Sequence, residues 1–276
     1  MSTRTSQRTF RNLIVIGVAV ALMCGAAIAG CKPRSMREAQ TVYGLVNPGT
    51  LTVACDFASP PMNFYDNSGA PRGFEYELLQ TVADRLGLKV KYIEDTSVKD
   101  IPAALNEHKA DMGASAIVVS DVGTVSDGVI IGRPYMAVGR DLIIARDAER
   151  TDLDDYNDPS VTIAVDAESA SENWVRNRLP KAQIAQVKTA DEGLVGVTEG
   201  TYSAAVYDDV TASYLLSGTY SNLMVANHVH NAGQYCFVYP EGSATLRDDI
   251  DQVMQDLESE GYIDSLETKW FGSVLD

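Results

Sequence analysis

From residue 51 onward the apolar and polar positions follow two alternating periods. Leu51-Thr52-Val53-Ala54-Cys55 and Lys89 to Ile93 read as short strands, while Phe74, Leu78, Leu79, Val82 and Leu86 recur at the spacing of one helix face. Gly87 supplies the left-handed residue that stops this helix, and Asp66-Asn67-Ser68-Gly69 has the residues of a tight turn ahead of it. A helix over about Ile101 to His108 and a strand over Ala110 to Ala114 complete a β-α-β-α-β order, which builds a parallel sheet with helices packed on it. A second set follows: strand Val161 to Val165, helix Ser171 to Arg178, strands Gln183 to Val187 and Ser203 to Tyr207, and helix Asp209 to Leu216. Two such sets predict two α/β lobes. Leu246, Ile250, Val253 and Leu257 then form a helical stripe before Gly261, and a short helix runs into Trp270-Phe271-Gly272.

The amino-terminal segment obeys a different logic. Arg4, Arg8 and Arg11 precede an apolar run from Leu13 to Ile28, and the small residues Ala29 and Gly30 lead to Cys31, with no acid in the segment. This is the three-part pattern of a secretory signal; the run is short for a bilayer span and lacks a basic stop-transfer flank, an uncleaved membrane helix being the alternative. Ile28-Ala29-Gly30-Cys31 resembles the bacterial lipobox, which implies cleavage after residue 30 and lipid on the Cys31 sulfur, with Lys32, Pro33 and Arg34 opening a polar tether. Two or more acyl chains suffice for stable attachment to a membrane. Residues 35 to 50 lack periodicity and end in the turn Asn47-Pro48-Gly49, so 1–30 reads as a signal and 31–49 as a lipidated linker.

Composition narrows the function. Loss of the three arginines of residues 1–30 moves the formal net charge from −16 to −19. That excludes a basic nucleic-acid-binding face and favours a soluble exported domain. Of the four cysteines, Cys24 leaves with the signal and Cys31 takes the lipid. Cys55 and Cys236 remain, either as a disulfide, which export permits, or as buried thiols.

Several segments in fixed order resemble the polar amino-acid branch of the bacterial solute-binding proteins. They are Leu51 to Asp56 with Pro60-Pro61-Met62-Asn63-Phe64, Gly73-Phe74-Glu75-Tyr76-Glu77-Leu78, Leu86-Gly87-Leu88-Lys89-Val90, Ile101-Pro102-Ala103-Ala104-Leu105, Pro134-Tyr135, Asp208-Asp209, and Lys269-Trp270-Phe271-Gly272. The resemblance implies a two-lobed periplasmic-binding-protein fold of type II, each lobe a mainly parallel sheet flanked by helices, with a two-strand hinge. Lobe one would comprise 50–140 and 235–276 and lobe two 141–234, with crossings near Ala137 to Leu142 and Gln234 to Val238. It further implies a monomeric extracytoplasmic receptor of an ABC importer, lipid-anchored at the cell membrane, that needs no cofactor and hands a small polar solute to permease subunits.

The same resemblance marks site positions. Asp208 corresponds to the acid that receives a ligand ammonium; a strand-to-helix junction also predicts a cap, but the adjacent Asp209 can cap the helix instead, which favours the ligand role for Asp208. Asp56 ends the first strand as a second acid or as a loop cap. Ser169-Ala170-Ser171-Glu172 fits a capping box and would also aim a helix amino terminus at a ligand carboxylate, with Glu168 where the family usually has Gly. Ser59 and Ser97 stand where the family commonly has bulky or aromatic residues, so Phe57, Met62, Phe64 or Tyr207 would have to clamp the ligand instead. Ser115 keeps a hydroxyl at a family position. The largest departure is at Ser120-Asp121-Val122-Gly123, where Gly123 replaces the carboxylate-gripping arginine; Arg133 or Arg140 is the candidate substitute, each otherwise a surface arginine.

Two further groupings remain. His228 and His230 face one side of a strand, but two histidines do not fill a tetrahedral metal site. Asp152, Asp154, Asp155 and Asp158 lack the glycine and the terminal glutamate of a calcium loop. The chain has no nucleophile elbow, H-E-x-x-H or phosphate loop, which favours binding over catalysis. The competing readings are an exported enzyme resembling the cyclohexadienyl dehydratases and a sensory binding module.

Overall fold

The structure is a computed structural model that describes residues 42–94, 96–119, 128–167 and 169–272. The signal, Cys31, Ser120 to Gly123 and Glu168 lie outside the described residues.

The first part of the chain gives β1 (Thr50–Ala54), a small meander of β2 (Ala58–Ser59), β3 (Asn63–Tyr65) and β4 (Pro71–Arg72), then α1 (Phe74–Leu86), β5 (Lys89–Ile93), α2 (Ile101–Asn106), β6 (Met112–Gly113) and β7 (Val118–Val119). Helix α1 forms where the periodicity places it. Phe74, Leu78, Leu79 and Val82 are fully buried along one face, each contributing about 1.5–3 kcal/mol of burial. Gly87 closes it at φ 70°, a conformation that side-chain-bearing residues resist.

A 17-residue strand, β8 (Val129–Ala145), leads into β9 (Thr162–Asp166), α3 (Ala170–Arg178), β10 (Gln183–Val187), α4 (Ala190–Thr198), β11 (Ala204–Asp208) and α5 (Asp209–Leu216). The 18-residue β12 (Leu223–Pro240) returns antiparallel to β8 and is followed by α6 (Ala244–Ser259) and α7 (Tyr262–Phe271).

The strand order is β10-β9-β11-β8-β12-β6-β1-β5, with β7 beside β12. At one end β10, β9 and β11 are parallel, at the other β6, β1 and β5 are parallel, and the β8/β12 ribbon joins the two sets. The apolar cores follow this division. Leu51, Val53, Phe74, Leu78, Phe237, Ile250 and Leu257 cluster on one sheet, with Ile101, Leu105 and Val238 on its other face. Leu142, Ile144, Ile163, Val165 and Val175 cover one face of the second sheet, and Ile143, Leu194, Ala205 and Tyr207 the other. Burial on both faces is what a parallel sheet between helices requires. The ribbon pairing changes register between Val229 and Gly233, a bulge that bends paired strands.

One expectation changes here, and one open alternative closes. Helix α4, absent from the periodicity reading, is capped by Thr189, whose hydroxyl accepts from Glu192 N at 3.2 Å, and a Cβ at its Gly193 would stand 1.9 Å from the Tyr207 hydroxyl. Close approach of the helix to β11 therefore needs glycine there, at the expense of helix propensity. Cys55 and Cys236 are both buried free thiols, which removes the disulfide alternative. Burial pushes both thiols up, Cys236 to about 11, so neither is a nucleophile near neutrality.

Candidate functional site

In open α/β sheets ligands meet the chain beyond the carboxyl ends of the strands. Here those ends carry polar groups. Asp56 follows β1, Ser115 follows β6, Asp166 ends β9 and Asp208 ends β11. Asp166 is acted on electrostatically by both Asp208 and Asp56, so the ends of the two parallel sets share one charged environment.

Asp208 is the best-connected of these groups. Its Oδ1 lies 2.8 Å from Arg140 Nη1 and accepts from the Ser171 hydroxyl at 3.2 Å, and its Oδ2 accepts from the Tyr235 hydroxyl. The register produces the ion pair, because β11 and β8 are antiparallel with Asp208 directly opposite Arg140. Cross-strand neighbours of opposite charge on one sheet face attract. Asp208 occupies the cap position of α5 but makes no side-chain cap bond, whereas Asp209 accepts from Val210 N and Gly139 N, both at 2.9 Å.

Arg140 is 2% exposed and also donates to the Gly139 carbonyl at 2.9 Å. Arg133 is half exposed and pairs with Glu258 on α6. Both candidate substitutes for the absent arginine therefore already hold a carboxylate partner. Residues 120–127 contain no basic residue.

Asp56 uses Oδ1 to accept from Ala58 N at 3.0 Å, the loop-capping geometry, and its own N–H donates to the buried Ser115 hydroxyl at 2.9 Å. Ser169 caps α3 by accepting from Glu172 N at 3.1 Å. The reciprocal half of the box is redirected, because Glu172 accepts from Arg176 and Gln186.

The remaining candidates are engaged elsewhere. Ser97 donates to Asp100 at 2.5 Å at the start of a helical turn, and Ser59 pairs with Asn63 in the small meander. Phe64 packs between Tyr214 at 5.7 Å and Trp270 at 5.8 Å. Tyr207 is corrected from a ligand clamp to a core residue: alternation along β11 turns it away from the face of Asp208, and its hydroxyl abuts α4 at Gly193. His228 holds Asp141 through Nδ1 at 2.6 Å and His230 through Nε2 at 3.0 Å. Among the described residues no three His, Cys, Asp or Glu side chains gather as metal ligands.

Sequence reasoning missed Asp166, Ser171 and Tyr235. Asp166 Oδ1 is buried without a hydrogen-bond partner, and burial, then the charges of Asp208 and Asp56, push its carboxyl up to about 7. Its signal was available: an acid that ends a buried strand, as Asp56 and Asp208 do.

These features are those of a two-lobed binding protein, and the comparisons with known proteins agree. The profile of the bacterial extracellular solute-binding proteins, family 3, matches residues 51–273, and the chain belongs to that family. It is similar to the L-cystine-binding protein TcyJ of Escherichia coli K12, at 23% identity over 257 residues, covering 91% of this chain and 94% of the relative. It is also similar to a probable amino-acid ABC transporter-binding protein of Haemophilus influenzae, at 25% identity, covering 81% and 85%. Among solved structures, an ancestral amino acid-binding protein described as a precursor of cyclohexadienyl dehydratase superposes with TM-score 0.75 at 27% identity, over 86% of this chain and 99% of that one. An ancestral arginine-binding protein, at TM-score 0.73 and 22% identity over 81% and 99%, shares the fold. The fold is the type II periplasmic-binding-protein fold.

Proposed function

We propose that this chain is the extracytoplasmic solute-binding receptor of an ABC importer, capturing a small polar, amino-acid-like solute between two lobes and delivering it to permease subunits. The observation that carries this reading is the convergence of Asp56, Ser115, Asp166 and Asp208 at the carboxyl ends of two parallel strand sets joined by the β8/β12 ribbon. Lobe one is assigned to 50–140 and 235–276 and lobe two to 141–234, and hinge closure brings them onto the ligand. Family membership and the amino-acid-binding relatives support the assignment.

A thermal-shift panel of amino acids, amines, oligopeptides and carboxylates tests it. A ligand at a hundred times its Kd stabilises the folded state by about 2.7 kcal/mol, which for a chain of this size raises Tm by about 5–10 °C. Silence across the whole panel refutes the receptor reading. Burial, with the charges of Asp208 and Asp56, pushes the Asp166 carboxyl up to about 7, which also suits a general acid, so arogenate and prephenate turnover belongs in the same experiment. Consumption of either would replace the receptor with an enzyme.

Attachment to the membrane through lipidated Cys31, with the protein acting as a monomer, completes the proposal. Cys31→Ser is expected to move the protein from the membrane fraction to the soluble fraction. Unchanged retention would point instead to an uncleaved apolar helix at Leu13 to Ile28.

A further inference from the structure

Asp166 is a strand-end carboxyl that the protein leaves unfinished: its Oδ1 is buried without a hydrogen-bond partner, as are Arg140 Nε and the Tyr207 hydroxyl. A buried carboxylate oxygen without a donor is costly, and folded proteins keep such groups where something else completes them. Asp208 is the contrast: it sits on the neighbouring strand, and Arg140, Ser171 and Tyr235 already serve its two oxygens. The guanidinium that neutralises Asp208 is itself buried and held through Nη1 by two acceptors, while its Nε is buried without a partner. The groups acting on Asp166 are Asp208 on β11 and Asp56 after β1, both acids, and the nearby Tyr207 hydroxyl is likewise buried without a partner.

We propose that Asp166 is the primary anchor of the solute and that the solute is an amine cation bearing N–H donors, whose binding does not depend on a free α-carboxylate. The inference rests on the receptor reading and names the chemical class that reading leaves open. An N–H donor is required because the orphan Oδ1 needs a hydrogen bond as well as a charge. A positive charge suits the site because the charged groups acting on Asp166, Asp208 and Asp56, are both acids. Among the described residues the two candidate carboxylate partners, Arg133 and Arg140, are each paired with an acid, so a ligand carboxylate would compete with Glu258 or Asp208 for them.

Proton competition follows from the same geometry. The cation binds ionised Asp166, whose carboxyl is pushed up to about 7 in the empty cleft. The competent fraction rises between pH 6 and pH 8, so affinity is expected to strengthen about tenfold over that interval.

Calorimetry and thermal shift on the purified full-length protein test the proposal, with 1,4-diaminobutane, lysine, arginine, cystine, glutamine and glutamate as probes. Diaminobutane, lysine and arginine are expected to bind, with diaminobutane not weaker than the two amino acids, while glutamate and glutamine give no shift. Asp166→Asn is expected to weaken amine binding at pH 8 by more than about tenfold, to flatten its pH dependence, and to raise the ligand-free Tm at pH 8. A merely structural aspartate would not produce that combination. Tight binding of glutamine, cystine or glutamate that survives Asp166→Asn overturns the proposal while leaving the receptor intact. Silence of every probe, together with silence across the wider panel, removes both.

Discussion

Arg140→Ala is expected to lower folding stability by about 3–5 kcal/mol, the usual consequence of removing one partner of a buried ion pair. The guanidinium is 2% exposed, and its partner Asp208 keeps 16% of its side-chain surface. Without Arg140 the Asp208 charge would act on Asp166 uncompensated, and the Ser171 and Tyr235 hydroxyls would remain to it. The variant also opens a cavity between β8 and β11 where strand register now places the pair. Urea denaturation of the parent, Arg140→Ala and the double variant Arg140→Ala/Asp208→Ala measures this. The double variant is expected to recover part of the loss, because both charges are gone. A loss below about 1 kcal/mol in the single variant would place the pair with exposed salt bridges and refute its buried character.

Glu75→Ala should be comparably damaging, for a different reason. Glu75 is fully buried on α1 and accepts hydrogen bonds from Ala116 N, Asn63 Nδ2 and the Tyr135 hydroxyl. One carboxylate thus ties the small meander, the loop after β6 and β8 to the first helix. Truncation strands these donors in the interior, at about 1–3 kcal/mol for each that finds no water, and about 3–5 kcal/mol in all. Glu75→Gln keeps one accepting oxygen and should lose less.

The pH dependence gives a second check on Glu75. Burial raises its carboxyl above the ordinary range, against the lowering effect of its hydrogen bonds. A group whose folded-state pKa is raised contributes stability that is present below its ordinary pKa and is lost as pH rises through the folded value. The deficit of Glu75→Gln relative to the parent is therefore expected to be larger at pH 5 than at pH 8. A deficit that grows with pH would mean that the site holds the carboxylate rather than the acid.

Much of the fold was legible in the sequence where local pattern and tertiary burial agree. Strand Gln183–Val187 and helix Asp209–Leu216 have the bounds that the periodicity gives them. Helix α4 was not legible, because Gly193 and Gly196 lower its helix propensity; the Thr189-x-x-Glu192 capping pair was the surviving signal. The long strands β8 and β12 were hidden as well. Bulges interrupt their alternation, and their faces change from one core to the other along their length.

For the site, residue identity and role separated. The sequence by itself determined the family, the βαβ order of each lobe, the charged start that ends at Cys31, and the presence of acids at the strand ends. Only the tertiary structure decided which acid is neutralised. Asp208 and Arg140 lie far apart along the chain and meet because β8 runs antiparallel to β11 in one particular register. Tyr207 and Asp208 are adjacent in sequence yet face opposite sides of the sheet, Tyr207 packing beside Gly193 and Asp208 pairing with Arg140. Asp166 carries no motif, and its unpaired oxygen exists only in the packed state. A side chain's charge is written in the sequence, but its energy depends on distance, burial and the donors left over, and these are fixed only when the strands have paired.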